Sequence, residues 1–183
     1  TFSPDSTCTT AQILTFLWRA AGAPVSSGTY SDIPAGEYYS TAASWARGEG
    51  LILDFDAGAP CTRAMVAEYL WKLEGSPAVA GNPFTDVDEG ASYAQAVAWA
   101  AENDITGGTT PTTFSPDSTC TRAQAVTFLW RAAGEPEPAS SASPFADVTD
   151  PSAYYYDAVL WAAEQGIVGG VGNGQFSLWG NLS

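Results

Sequence analysis

Two patterns of apolar and polar positions alternate along the chain. In the first, Tyr93, Ala96, Val97 and Ala100 recur at i, i+3, i+4 and i+7, which is one face of an amphipathic helix. Trp99 lies off the centre of that stripe, toward its edge. Aligned on Trp45, Trp99 and Trp161, the segment occurs three times, with Tyr39, Tyr93 and Tyr155 six residues earlier. The helix is expected to end near Gly50, Asp104 and Gly166. Leu51, Ile105 and Ile167 follow, placed to fold back onto the core. The second pattern aligns on Trp18, Trp71 and Trp130. Its buried stripe is Ile13, Phe16, Leu17 and Ala20, repeated by Phe128 and Leu129. Thr9, Thr62 and Thr121 are the predicted N-caps, and Gln12 and Gln124 complete capping boxes. Met65 stands at that place in the middle copy and is expected to lose the reciprocal bond. Gly22, Gly75 and Gly134 stop these helices, with Pro24, Pro77 and Pro136 two residues later.

The two patterns belong to a repeat. Phe2-Ser3-Pro4-Asp5-Ser6-Thr7-Cys8-Thr9 recurs as Phe114-Ser115-Pro116-Asp117-Ser118-Thr119-Cys120-Thr121, with a looser copy from Phe55 to Thr62. Between these copies run Tyr30-Ser31-Asp32-Ile33, Phe84-Thr85-Asp86-Val87 and Phe145-Ala146-Asp147-Val148. Single-stripe helices cannot bury their apolar faces alone, so the units must pack together. The predicted fold is all-α, with three helix–loop–helix units. The boundaries read as 1–24 (second half of a repeat), 25–77, 78–138 and 139–183 (first half of a repeat). Closure is expected where the N-terminal helix, near 9–21, packs against the last first-half helix, near 152–165. The loop from Leu51 to Phe55 is short. Those from Ile105 to Phe114 and from Ile167 to Phe176 are longer and contain Gly107-Gly108 and Gly169-Gly170.

Composition narrows the function. The formal charge of −14 argues against nucleic acid and anionic membrane surfaces. Histidine is absent, which removes Ser-His-Asp and Cys-His catalysis and His-based metal sites. No apolar run is long enough for membrane insertion. The sequence starts at Thr1 and reads as a piece of a longer or processed protein. Cys8, Cys61 and Cys120 take one position in successive repeats, too far apart for a zinc or redox motif. They read as buried, reduced residues beside helix starts. Asp86-Val87-Asp88-Glu89 hints at calcium but lacks a full ligand set. No cofactor and no metal are expected.

The sequence Phe-x-Asp-Val, an aromatic-Ala helix ending in Gly-Ile, a Gly-rich loop, Phe-x-Pro and Thr-Arg-Ala-Gln resembles the S-layer homology repeat of bacterial surface proteins. The resemblance runs through nearly the whole chain and recurs three times. It implies a pseudo-threefold helical spindle, closed by pairing of the terminal half-repeats. It also implies a secreted or cell-surface module whose grooves bind secondary cell-wall polysaccharide, pyruvylated in many members. The family's arginine matches Arg63 and Arg122, while Thr10 replaces it in the first copy. The early Asp matches Asp32, Asp86 and Asp147, and the groove aromatic matches Trp45, Trp99 and Trp161.

The same residues have plainer readings. Arg63 and Arg122 open helices, where a cation gains nothing from the dipole, so a local helix role does not explain them. A salt bridge to a neighbouring Asp would. The Asp residues could cap helices, and the Trp residues could be core. Two rival functions stand beside cell-wall binding. One is a surface adhesin in which the scaffold binds a host or partner protein, using Leu178 and Trp179 of the divergent tail. The other is a carboxylate hydrolase, which no isolated acid in an apolar stretch supports, so the chain reads as no enzyme.

Overall fold

The computed structural model describes residues 1–26, 28–172 and 175–176. Six helices appear in chain order: α1 (Thr10–Ala20), α2 (Ser40–Gly48), α3 (Arg63–Leu73), α4 (Ala94–Glu102), α5 (Arg122–Ala132) and α6 (Tyr156–Glu164). A two-residue antiparallel ladder, β1 (Val171–Gly172) with β2 (Gln175–Phe176), is the one addition to this helical set among the described residues. The tail carrying Leu178 and Trp179 lies outside the described residues.

The helix starts follow from local chemistry. Thr9, Thr62 and Thr121 have extended backbones, and their side chains accept from Gln12, Met65 and Gln124 N–H. The reciprocal bond forms in all three copies, contrary to the expectation for Met65. Its thioether sulfur accepts from Thr62 N–H at 3.5 Å, as a weak acceptor can. The helix ends are equally local. Gly50, Asp104 and Gly166 take positive φ, and Leu51, Ile105 and Ile167 N–H bond back to Ala46, Ala100 and Ala162 carbonyls. This 6→1 bond satisfies a carbonyl that the helix end would orphan.

The linkers decide which helices meet. After each Thr-capped helix the chain turns back on itself. The indole N–H of Trp18, Trp71 and Trp130 donates to Pro24, Pro77 and Pro136 carbonyls at 2.8–2.9 Å. The following helix is thereby delivered to the side of the one just finished. The packed pairs are α1 with α2, α3 with α4 and α5 with α6. The expected packing of α1 against α6 is thus replaced by packing against α2.

Instead, the terminal halves meet through loops. Asp147 accepts from Phe2 and Ser3 N–H at 2.6 Å each, Arg19 donates to the Ile167 carbonyl, and the Phe2 and Phe145 rings lie 5.5 Å apart. Phe2 is fully buried, a burial that stabilises by about 1.5–3 kcal/mol.

At the centre the copies bond in cyclic order. Cys8 N–H donates to Cys120 O, Cys120 N–H to Cys61 O, and Cys61 N–H to Cys8 O, all at 2.8–3.0 Å. A second cycle surrounds it: Thr10 N–H to Ala59 O, Arg63 N–H to Ser118 O, and Arg122 N–H to Ser6 O. These bonds satisfy the first N–H of α1, α3 and α5 from a neighbouring copy. The three cysteines are free and buried. Burial pushes the Cys8 and Cys120 thiols up to about 12 and raises Cys61 as well, which holds all three neutral and poorly nucleophilic at pH 7.

Candidate functional site

Arg63 opens α3, where the cyclic bond to Ser118 fixes its backbone. Its side chain is 3 % exposed. The guanidinium lies over two rings, 4.7 Å from the Phe114 centroid and 5.3 Å from Phe128. Nε donates to the Phe114 carbonyl at 2.8 Å. Arg122 repeats this in the next copy, with Nε on the Phe2 carbonyl at 2.8 Å and its guanidinium over Phe2 and Phe16. Arg122 also donates to the Gly169 carbonyl at 3.3 Å. Arg63 forms no salt bridge to an Asp among the described residues; carbonyls and ring faces hold both side chains. Burial lowers the pKa of both, because a desolvated cation is disfavoured.

Asp86 and Asp147 do not cap helices. Asp86 accepts from Phe114 and Ser115 N–H at 2.8 Å each, as Asp147 does from Phe2 and Ser3. Ser115 and Ser3 have positive φ, so each carboxylate pins a turn that L residues adopt reluctantly. Desolvation raises both acids, but the backbone N–H donors outweigh it and leave their pKa values lowered. Asp32 differs. It pairs with Arg47, and of the corresponding turn it holds Phe55 N–H at 3.2 Å. The hydrogen bond from Arg47 is the main cause of its lowered pKa.

The calcium reading does not survive this geometry. Asp86 is engaged by two backbone N–H groups and Asp88 by Gly90 N–H. No group of three or more His, Cys, Asp or Glu among the described residues could hold a metal ion.

Trp45, Trp99 and Trp161 are 6–8 % exposed and belong to the core. Their placement as open groove faces is corrected accordingly. The facing helix surfaces are rich in buried alanine, including Ala42, Ala43, Ala46, Ala96 and Ala100. Small side chains let helices approach, and the large indoles fill the seams between them. Trp99 lines a depression with Pro77, Asn103 and Arg131.

What the structure does assemble is a cleft of about 420 Å³ around Arg63. One wall is the Thr106–Thr109 loop. The other is α5, through Gln124, Thr127, Phe128 and Arg131, with Tyr154 at the rim. The loop depends on Gly108. Its φ is +83°, and an added Cβ would lie 2.5 Å from the Thr110 and Thr113 carbonyl oxygens. Two of the chain's six basic residues line this cleft and no acid does. Arg63 Nη2 is buried there without a hydrogen-bond partner among the described residues.

Sequence reasoning passed over Arg131 and Tyr154. Arg19, Lys72 and Arg131 each follow a repeat tryptophan directly. They donate to the Ile167, Leu51 and Ile105 carbonyls respectively. That shared position next to Trp was the available signal.

Similarity to known proteins agrees with this architecture. Residues 83–126 and 144–177 match the S-layer homology domain. The chain is also 39% identical over 101 residues to a cell surface protein of Thermoanaerobacter kivui. That match takes in 53% of this chain and 13% of the relative, so the chain spans only a small part of the curated protein it matches. No helix among the described residues is long and apolar enough to cross a membrane. Over those two segments the chain therefore carries the S-layer homology domain, which ties it to bacterial cell-surface proteins.

Proposed function

We propose that this chain anchors its parent protein by binding an acidic cell-wall polysaccharide, without catalysis, and that the Arg63 cleft is the principal site. The carrying observation is electrostatic. In a chain of charge −14, a cleft lined by no carboxylate and by two guanidinium groups, Arg131 also pairing loosely with Glu135 at 3.6 Å, favours an anion. Arg63 Nη2 is a buried donor without a hydrogen-bond partner among the described residues, and leaving such a group unpaired costs about 1–3 kcal/mol, more when it is charged. A carboxylate on a sugar, such as a pyruvate ketal, would remove that cost and form a charge-assisted bond.

Arg122 presents the same fork in the next copy, beside Gly169, and supplies the second site. Thr10 occupies the third place and bonds to the Ala59 carbonyl, so that place lacks a cation at the helix start. Asp86 and Asp147 contribute by fixing the Phe-Ser turns whose carbonyls orient Arg63 and Arg122.

Co-sedimentation with purified bacterial wall sacculi tests the reading. Binding is expected to intact sacculi and to be lost when the polysaccharide has been stripped from them. Equal binding to both would overturn the polysaccharide reading in favour of a protein partner or another wall component.

A further inference from the structure

We infer that Tyr154 is the aromatic platform on which a bound sugar stacks, that Tyr38 does the same at the Arg122 site, and that the third site is closed. This rests on the polysaccharide reading above and names which residues and how many sites carry it. With Trp45, Trp99 and Trp161 buried, an aromatic face for a sugar must come from elsewhere. Tyr154 is 57% exposed and lines the cleft with Arg63. Tyr155 packs edge-on against its ring at 5.1 Å and 86°. An exposed ring so packed beside a buried guanidinium can meet the C–H face of a pyranose while the arginine takes its carboxylate, with little ordering cost on binding.

Tyr38 has the same setting in another copy. It packs edge-on against Tyr39 at 5.0 Å and interacts electrostatically with Arg122. It borders a separate depression of about 630 Å³ with Trp18, Arg19 and Glu37, which Arg122 does not line; Tyr38 is tied to Arg122 by repeat position, as Tyr154 is to Arg63.

The third copy departs at each of these points. Ser92 precedes Tyr93 where Tyr38 and Tyr154 precede Tyr39 and Tyr155. Thr10 stands for the arginine. Glu68 replaces Thr15 and Thr127, whose hydroxyls bond within their own helices. It also pairs with Lys72 at 2.9 Å, so the one cation left at this place is neutralised by an acid from the same helix. An anionic sugar there would meet a carboxylate, no ring and no arginine.

The test is calorimetric titration of the chain with the methyl glycoside of a pyruvate-ketal hexose. Two sites per chain are expected for the parent. Tyr154→Ala should weaken one site by roughly five- to tenfold, and Tyr154→Phe should restore it, since the ring is kept. Tyr38→Ala should act on the other site alone. Melting should stay within a few degrees for Tyr154→Ala, because this side chain is largely exposed. Parent binding at three equal sites, or unchanged affinity in Tyr154→Ala, overturns this inference while leaving the anchoring reading intact. No binding by the parent overturns both.

Discussion

The Arg63 cleft and the place led by Thr10 share a backbone and differ in their side chains. Both are framed by the same cyclic bonds, Arg63 N–H to Ser118 O in one and Thr10 N–H to Ala59 O in the other. Both have a basic residue on the carbonyl after the preceding first-half helix, Arg131 on Ile105 and Lys72 on Leu51. Yet one holds two guanidiniums, a Gly-bearing loop and an exposed Tyr, and the other holds a hydroxyl, a clipped loop and a Glu68–Lys72 pair. The difference teaches that the frame is set by backbone bonding and tolerates substitution, whereas recognition is set by a few side chains mounted on it.

The most severe way to break the comparison is to remove a copy of the frame. Deleting residues 1–24 takes away α1, four of the six cyclic bonds and the turn that Asp147 holds. Stability should fall by several kcal/mol, as loss of one repeat interface does. Thermal melting checks this, and an unchanged midpoint would contradict cyclic closure.

A smaller break acts on the loop that only the Arg63 side retains in full. Gly108→Ala combines positive φ with carbonyl oxygens 2.5 Å from the new Cβ. It should cost about 1–3 kcal/mol and distort the cleft. Gly22→Ala is the control, since its φ is also positive but nothing lies within 4 Å of the added carbon. Its cost should stay near 1 kcal/mol. Denaturant unfolding of the pair isolates the clash from the backbone strain.

Acid should reach the frame through its carboxylates. Asp86 and Asp147 have folded pKa values below the ordinary value of 3.8. Their contribution is therefore fully present above about pH 4 and is lost as pH falls through the depressed folded values. Asp147→Asn should be less stable than the parent at pH 7, and the difference should shrink toward pH 2. Melting followed across that range checks the sign.

The mildest expected effect is a gain. Asp104 takes φ 58° where Gly50 and Gly166 stand in the other copies. Asp104→Gly should relieve left-handed strain and raise stability by at most about 1 kcal/mol. A small upward shift in melting is expected, with sugar binding unchanged.

How much of this was readable in the sequence depends on range. Caps and stops were readable because they are local: Thr9, Gln12 and Gly22 act within a few residues of one another. Even there Met65 surprised, because an acceptor sulfur is not a property that the capping pattern encodes. The burial of Trp99 was not readable. Helical periodicity gives a residue's angle about its own axis, but not which neighbour covers that angle. The partner of α1 was misread for the same reason. It depends on the turn that Trp18 and Pro24 lock, not on which stripe lacks a mate. Arg63 was singled out from its motif, whereas its ring sandwich between Phe114 and Phe128 arises from two distant segments. Tyr154 was readable in principle as Tyr38, Ser92 and Tyr154 before the aligned tyrosines, but its exposure was not.

The most direct measurement of the central claim is titration with purified wall polysaccharide of the parent, Arg63→Ala, Arg122→Ala and the double variant, with melting recorded for each. Loss of one charge-assisted pair is worth about 1.5–3 kcal/mol. Each single variant should therefore lose its own site by roughly ten- to a hundredfold, and the double variant should fail to bind while remaining folded. A folded double variant that binds as well as the parent would contradict the claim that these arginines make the wall-binding sites.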